Sequence, residues 1–237
     1  MSGAWRRAVF DYNQWERDRW VERQAARVPA GARVLDVGAG RGSYRRLFAH
    51  CEYRAHDFGK EPGTIGEYTK LDYESDILAL PVANDCFDVL LCTEVLEHVP
   101  QPAAAVREMA RALRPGGRML LTAPLGSILH QEPYHFYGGF TPHWYRWALP
   151  AAGLEIESLE ANRGFFSLFG QEARRFSALI HPHRTASLGV ARLGLAVLWV
   201  ATLPLLRVGF PLLGVVLDRL GLEGVATAGY HVTAVKR

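Results

Sequence analysis

The sequence predicts an α/β fold organised around a doubly wound, mostly parallel sheet. Two observations carry that expectation. From Gly31 onward, short apolar runs alternate with helical stretches, and the runs have the near-continuous hydrophobicity of strands buried on both faces. The first run also passes directly into the glycine-rich turn Asp36-Val37-Gly38-Ala39-Gly40-Arg41-Gly42, and the residues beyond it can form a helix. A chain of 237 residues, 49% of them hydrophobic, is long enough to bury one such core with an appendage.

The elements follow in order. Ala8 to Ala26 mixes aromatic and charged residues without Gly or Pro, as a helix with Trp15 and Trp20 as apolar contacts would. Residues 1–30 are expected to form a helical cap on a domain of residues 31–237. Arg33–Val37, Tyr53–His56, Phe87–Cys92 and Met119–Thr122 read as buried strands, with Ser43–Ala49 as a helix after the glycine turn. Pro102–Leu113 reads as a helix stopped by Arg114-Pro115-Gly116-Gly117. Pro142–Ala152 is a second helix, stopped by Gly153 before the strand Leu154–Leu159, and Tyr230–Val235 is the last strand.

Composition excludes some partners. The 27 basic and 24 acidic residues are dispersed, without the basic block of a nucleic-acid-binding surface, so no nucleic acid is expected. Cys51, Cys86 and Cys92 fit no zinc or redox spacing. The first twenty residues lack the apolar core of a signal peptide, and a cytoplasmic location is expected.

The glycine turn has the spacing Asp-x-Gly-x-Gly-x-Gly with Ser at position 43, a departure from the Gly-x-Gly-x-x-Gly of dinucleotide sites. Asp57 ends the next strand, where a carboxylate can accept both hydroxyl hydrogens of a ribose. Asp76-Ile77-Leu78-Ala79-Leu80-Pro81, the run Phe87 to Val99 and Arg114-Pro115-Gly116-Gly117 complete the series. Together, over about Ala32 to Ala161, these motifs resemble the class I S-adenosylmethionine-dependent methyltransferases. The resemblance implies a seven-stranded, Rossmann-like sheet with an antiparallel last strand, and S-adenosylmethionine as cofactor. It assigns Asp36 to orienting the glycine loop or the amino-acid end, and Gly38 and Gly40 to letting backbone pass the methionyl and ribose portions. Asp57 takes the ribose, Asp76 the adenine amino group with Ile77 beside it, and Thr93 lies near the methionine moiety. The alternatives are an NAD(P)-dependent oxidoreductase or epimerase and a non-catalytic cofactor-binding scaffold. The first is weakened by the missing third glycine of its motif and by the lack of a Tyr-x-x-x-Lys pair.

Methyl transfer from a sulfonium is a displacement at an activated carbon, so positioning the small-molecule acceptor supplies most of the acceleration. A hydroxyl acceptor benefits from a base, for which His98, His130 and His135 are the candidates, whereas a carboxylate needs none. The aromatic run His130 to Tyr145 suits a lid of about residues 125–146 over an organic acceptor. That run resembles methyltransferases of glycan assembly, which implies a sugar-containing or lipid-linked acceptor; a secondary metabolite or a quinone-like phenol stays open. Glu94, Glu97 and His98 would share a face if a helix begins there, with His135 as a fourth ligand. This resembles ubiquinone-pathway and small-RNA ribose O-methyltransferases that hold a divalent metal. The same string occurs in relatives without one, so a metal-free site is expected, with His98 as a satisfied helix-start residue.

Before the last strand lies an apolar helical insertion of about residues 171–224. Its uncharged runs Leu193–Leu206 and Val208–Leu217 each fall short of the ~20 residues of a membrane span, and Pro204 and Pro211 interrupt them. Two short helices are expected, covered by the sheet domain, by a homodimer partner through residues 188–220, or by a membrane surface. The arginines Arg174, Arg175, Arg184, Arg192, Arg207 and Arg219 would assist the last of these.

Overall fold

The computed structural model describes residues 3–59, 68–184, 187, 189–221 and 224–237. Leu188 and the side chain of Arg192, both in the expected contact region, lie outside the described residues. The chain divides into two compact units: residues 17–160 with 229–237, and residues 1–16 with 161–228.

The first unit is the sheet. Its strands are β1 (Arg33–Val37), β2 (Glu52–Asp57), β3 (Tyr73–Glu74), β4 (Phe87–Thr93), β5 (Leu113–Pro124), β6 (Leu154–Ala161) and β7 (Gly229–Lys236). Among the described residues these seven form one sheet in the order β3-β2-β1-β4-β5-β7-β6. β1 pairs in parallel with β2 and β4, β4 in parallel with β5, and β7 runs antiparallel to β5. At the outer edge Arg237 N donates to Gly153 O at 3.0 Å, which sets the end of β7 beside the start of β6. The chain order reverses between β1 and β4, so the switch point of the doubly wound sheet opens at the carboxyl ends of those strands.

Strand burial matches the continuous hydrophobicity that identified the strands. Val34, Leu35, Val37, Leu90, Leu91 and Cys92 are all fully buried. On one face Trp20, Val21 and Ala25 pack with Val34, Phe48, Leu91 and Leu120. The helix α3 (Pro102–Ala112) buries Ala105, Val106, Met109 and Ala110, the i, i+1, i+4, i+5 stripe of a helix with one apolar face. Thr141 caps α4 (Pro142–Ala151) by accepting from Trp144 N.

Four expectations are corrected. The N-terminal helix is two, α1 (Gly3–Phe10) and α2 (Tyr12–Ala25), separated by a bend at Asp11, a poor helix former. Ser43–Ala49 is not an α-helix but turns and one 3-10 turn, Arg45–Phe48. The segment runs from left-handed Gly42 to a turn closed by Cys51 N on Phe48 O, too short to establish an α-helical ladder. The Arg114-Pro115-Gly116-Gly117 string lies inside β5, which starts directly after α3 and pairs Leu113 with Phe87 before the register shifts.

The fourth correction lies in the second unit. Here α5 (Phe165–Leu179) precedes α6 (Ala191–Pro204) and α7 (Phe210–Leu217), and the insertion starts ahead of residue 171. Instead of two separate short helices, Leu193–Leu220 is one continuous run of 28 helical residues whose most apolar stretch has a mean hydropathy of 1.9. A π-turn over Leu205–Gly209 joins α6 to α7, and Phe210 N donates to Leu205 O. The widened turn accommodates Pro204 at the end of α6 and Pro211 in the first turn of α7, where a missing N–H costs little.

Glycines let α5 and α7 approach closely. A Cβ on Gly214 would sit 2.5 Å from Phe166 O, and one on Gly170 2.9 Å from Pro211 Cα. The Asp218 carboxylate accepts from Phe166 N and Ser167 N at 3.1 and 3.2 Å, satisfying free donors at the start of α5. Trp199 Nε1 donates to Ser177 O at 2.7 Å, and Arg207 Nε donates to Ser177 Oγ at 3.1 Å.

Candidate active site

A cavity of about 230 Å³ opens at the switch point, lined by Gly38, Gly40, Asp57, Asp76, Ile77, Glu94, His98, Gln131, Tyr134 and Phe136 among others. A larger hollow of about 540 Å³ lies at the opposite edge, where the strands begin. Within it Arg114 pairs with Asp88 and Arg118 with Glu157, and ligands of doubly wound sheets bind at the other edge.

The glycine loop is built for close approach. Gly38 and Gly40 take φ of 79° and 50°, which glycine adopts without steric cost, and a Cβ on Gly38 would lie 2.2 Å from Val95 Cγ2. His56 O accepts from both Gly38 N and Ala39 N at 2.9 Å, pinning the loop to the end of β2. Asp57 Oδ2 accepts from Gly40 N at 2.8 Å and Oδ1 from Phe58 N at 2.7 Å. Oδ1 also accepts from Gly59 N at 3.5 Å, and a carboxylate has about four lone-pair positions, so Asp57 keeps capacity for a ribose hydroxyl. Asp76 Oδ1 accepts from Leu78 N at 2.9 Å, turning the chain so that Asp76 and Ile77 both face the cavity.

Not every expected residue reaches the wall. Asp36 is buried beneath the loop, where it accepts from the Tyr53 hydroxyl, and is absent from the cavity lining. Burial, opposed by the Tyr53 hydrogen bond and reinforced by nearby Asp57, pushes its carboxyl up to about 7. Thr93 pairs with Thr122 within the sheet, and its successors Glu94 and Val95 line the cavity instead.

The three histidines do converge. His98 lines the cavity, and its ring lies 4.8 Å from that of His130 and 5.8 Å from that of His135, centroid to centroid. His98 Nδ1 bonds Tyr134 O at 2.8 Å; a carbonyl only accepts, so Nδ1 carries the hydrogen and the neutral ring leaves a lone pair on Nε2. His130 Nδ1 bonds Ile128 O at 2.8 Å, with the same consequence. His135 Nε2 bonds Ser127 Oγ at 2.9 Å. Burial lowers the His98 pKa, its bond to Tyr134 O opposes this, and the neighbouring histidines add to the lowering.

The carboxylates divide differently from expectation. Glu94 has a φ of 54° and lies outside any helix; only Leu96–His98 form a 3-10 turn, so the three-ligand helical face does not exist. Glu94 is already engaged, accepting from Thr122 Oγ1 at 2.8 Å and pairing with Arg17 at 3.2 Å. Glu97 is buried, its Oε2 finds no hydrogen-bond partner among the described residues, and burial beside Glu94 raises its carboxyl to about 8. Glu97, His98 and His130 bring ligand atoms within 4.8 Å of one another.

Sequence reasoning missed Arg17, which pairs with Glu94 and bonds the Tyr44 hydroxyl from 27 residues away, a separation that leaves no local signal. It also named no role for Tyr134, although it picked out the aromatic run containing it. Tyr134 now holds His98 and packs edge-on against Phe58 at 5.7 Å.

With this geometry established, the comparisons define the class. A methyltransferase-domain family profile matches residues 6–169, and the chain belongs to that family. It is a class I S-adenosylmethionine-dependent methyltransferase by family and fold, which removes the nicotinamide alternative. Among individual relatives, the ubiquinone biosynthesis O-methyltransferase of Xanthomonas axonopodis pv. citri is 36% identical over 129 residues, covering 49% of this chain and 51% of that protein. The Aeromonas salmonicida protein of the same name is 36% identical over 107 residues, 39% of this chain and 43% of the relative. The chain thus spans about half the length of these curated relatives. Two solved structures share the fold over 94% of this chain. One is the [4+2]-cyclase SpnF, with TM-score 0.55, 20% identity and 80% of that chain covered. The other is phosphoethanolamine N-methyltransferase 2 of Haemonchus contortus with S-adenosyl-L-methionine, with TM-score 0.53, 16% identity and 52% covered.

Proposed function

We propose that the protein transfers the methyl group of S-adenosylmethionine to an oxygen of a small organic acceptor, with His98 as the base for a hydroxyl. The observation that carries this reading is the Nδ1 bond of His98 to Tyr134 O, which leaves Nε2 as the lone-pair acceptor of a residue that lines the cavity. The acceptor oxygen attacks the sulfonium methyl carbon, the carbon–sulfur bond breaks, and S-adenosylhomocysteine leaves. The hydroxyl proton passes to His98 Nε2. His135 and His130 stand behind His98 and hold its ring environment. The aromatic wall of Phe58, Tyr134 and Phe136 suits an acceptor with an apolar or ring-shaped body, and a sugar-containing or lipid-linked one is the first class to try.

The test is formation of S-adenosylhomocysteine with a panel of sugar, lipid-linked and phenolic acceptors. Product formed by the parent protein and cut about 10²- to 10⁴-fold in His98→Asn, with cofactor binding kept, supports the reading. Cofactor binding without product from any acceptor favours the scaffold.

Glu97, with Oε1 3.8 Å from His98 Nε2 and Oε2 without a partner among the described residues, favours a second reading, in which Glu97, His98 and His130 hold a divalent cation. The cation would supply a positive charge beside the acceptor oxygen. Calorimetric titration with Mg²⁺, Mn²⁺ or Zn²⁺ showing one site, lost in Glu97→Gln, is its signature.

A further inference from the structure

We propose that residues 162–228 dock the protein on an anionic lipid bilayer, lying in the plane of the interface without crossing it. The proposal is independent of the acceptor and of the chemistry at His98.

The long helix is held on one side and bare on the other. Gly170, Gly214 and Ser177 fix it to α5, yet only 11% of its most apolar window is buried. Leu193 is 64% exposed, Val197 71% and Val216 56%, while Phe169 and Phe176 extend the apolar surface onto α5 at 47% and 52%. Arg207, the one charge between Leu193 and Leu217, is engaged by Ser177 and lies 5.8 Å from the Trp199 ring centroid. Large contiguous apolar surface of this kind marks an interaction site.

At about 1.5 Å per residue, the 28-residue helix is longer than a ~30 Å hydrocarbon core. Connectivity nevertheless forbids a single crossing. β6 enters the segment, β7 leaves it, and both belong to the same sheet, with Arg237 N bonded to Gly153 O. A chain that returns to its own sheet crosses an even number of times. Among the described residues of the segment, the only other long helix is α5, which has 15 residues and carries Glu172, Arg174 and Arg175 in its middle. The helix therefore lies along the surface, as interfacial helices do.

Charge selects the partner. Residues 161–228 contain seven arginines and no lysine, against Glu172, Asp218 and Glu223; Arg163 pairs with Glu16 and Arg175 with Glu172, which leaves the excess with the other arginines. Arg184 and Arg219 are exposed just before and at the end of the apolar run, where interfacial anchors meet headgroup phosphates. A second copy of the chain would bring this basic surface against itself; anionic lipid neutralises it.

The experiment is vesicle co-sedimentation of the full chain, with phosphatidylcholine alone and with added phosphatidylglycerol. Binding to the mixed vesicles is expected, weakened about tenfold or more in Arg184→Gln/Arg219→Gln. In Val197→Asp/Leu213→Asp binding is lost, while helicity by circular dichroism and stabilisation by S-adenosylhomocysteine are unchanged. Absence of vesicle binding by the parent protein overturns the proposal. So does a detergent-free dimer that Val197→Asp/Leu213→Asp dissociates, which assigns the surface to a second copy. Protease cleavage of vesicle-bound protein from the far leaflet overturns the in-plane geometry.

Discussion

At the scale of single residues, the site separates binding from chemistry, and substitutions are expected to separate them too. Asp57 and Gly40 share one hydrogen bond at the cavity wall. Asp57→Ala removes the carboxylate expected to take the ribose, and Gly40→Val forces a β-branched residue into a φ of 50°; each should abolish stabilisation by S-adenosylhomocysteine in a thermal shift assay. His135 bonds Ser127 and does not line the cofactor cavity, so His135→Ala should keep that stabilisation and reduce turnover about tenfold. Unchanged turnover would remove His135 from the machinery. Asp36 illustrates the limit of motif reasoning at this scale. Its place in the motif marks a cofactor-loop residue, but only burial and the Tyr53 hydroxyl show that it lies beneath the loop, off the cavity wall.

At the scale of elements, β7 carries a pH dependence. His231 is buried against the Trp20 ring at 5.2 Å, and burial, with Arg17 and Arg23 of α2 adding to it, lowers its pKa to about 3. The unfolded chain binds that proton near the ordinary ~6.5, so stability present above that pH falls as the pH drops from there toward 3. The loss is on the order of 4 kcal/mol. Urea titrations of His231→Phe should show a flatter acid limb between those limits. Between α5 and α7, Gly214→Leu should cost about 1–3 kcal/mol and speed proteolysis of residues 161–228, with cofactor binding retained. Long buried strands and the proline-started helix were legible in the sequence: β1, β4 and α4 lie where the hydrophobic runs and Pro142 place them. β3 was not, because two residues are too few to show a period. The joined α6–α7 helix was missed because Pro204 and Pro211 read as breaks, and a π-turn leaves no mark in residue type.

At the scale of the whole molecule, the fold and cofactor class were legible because they rest on local strings in a fixed order, from Asp36 through Asp57 and Asp76 to Glu94. The acceptor was not, since Gln131, Tyr134 and Phe136 meet Glu94, Val95 and His98 only through tertiary structure. A screen of acceptors in the presence of anionic vesicles is therefore expected to raise turnover of lipid-linked acceptors more than that of soluble ones. Equal turnover with and without vesicles would assign the lipid surface to location alone.

The position of β7 also bears on the order of synthesis. β7 is the last of the seven strands along the chain, yet it sits inside the sheet, between β5 and β6. The ribosome thus releases the apolar helix before it releases the strand that joins β5 to β6. Until β7 arrives, both neighbours present unpaired edges, the condition in which chains aggregate or are taken up by chaperones. On the proposed docking, a growing chain offers its most apolar segment to lipid while its sheet is still open, so that targeting precedes closure of the sheet.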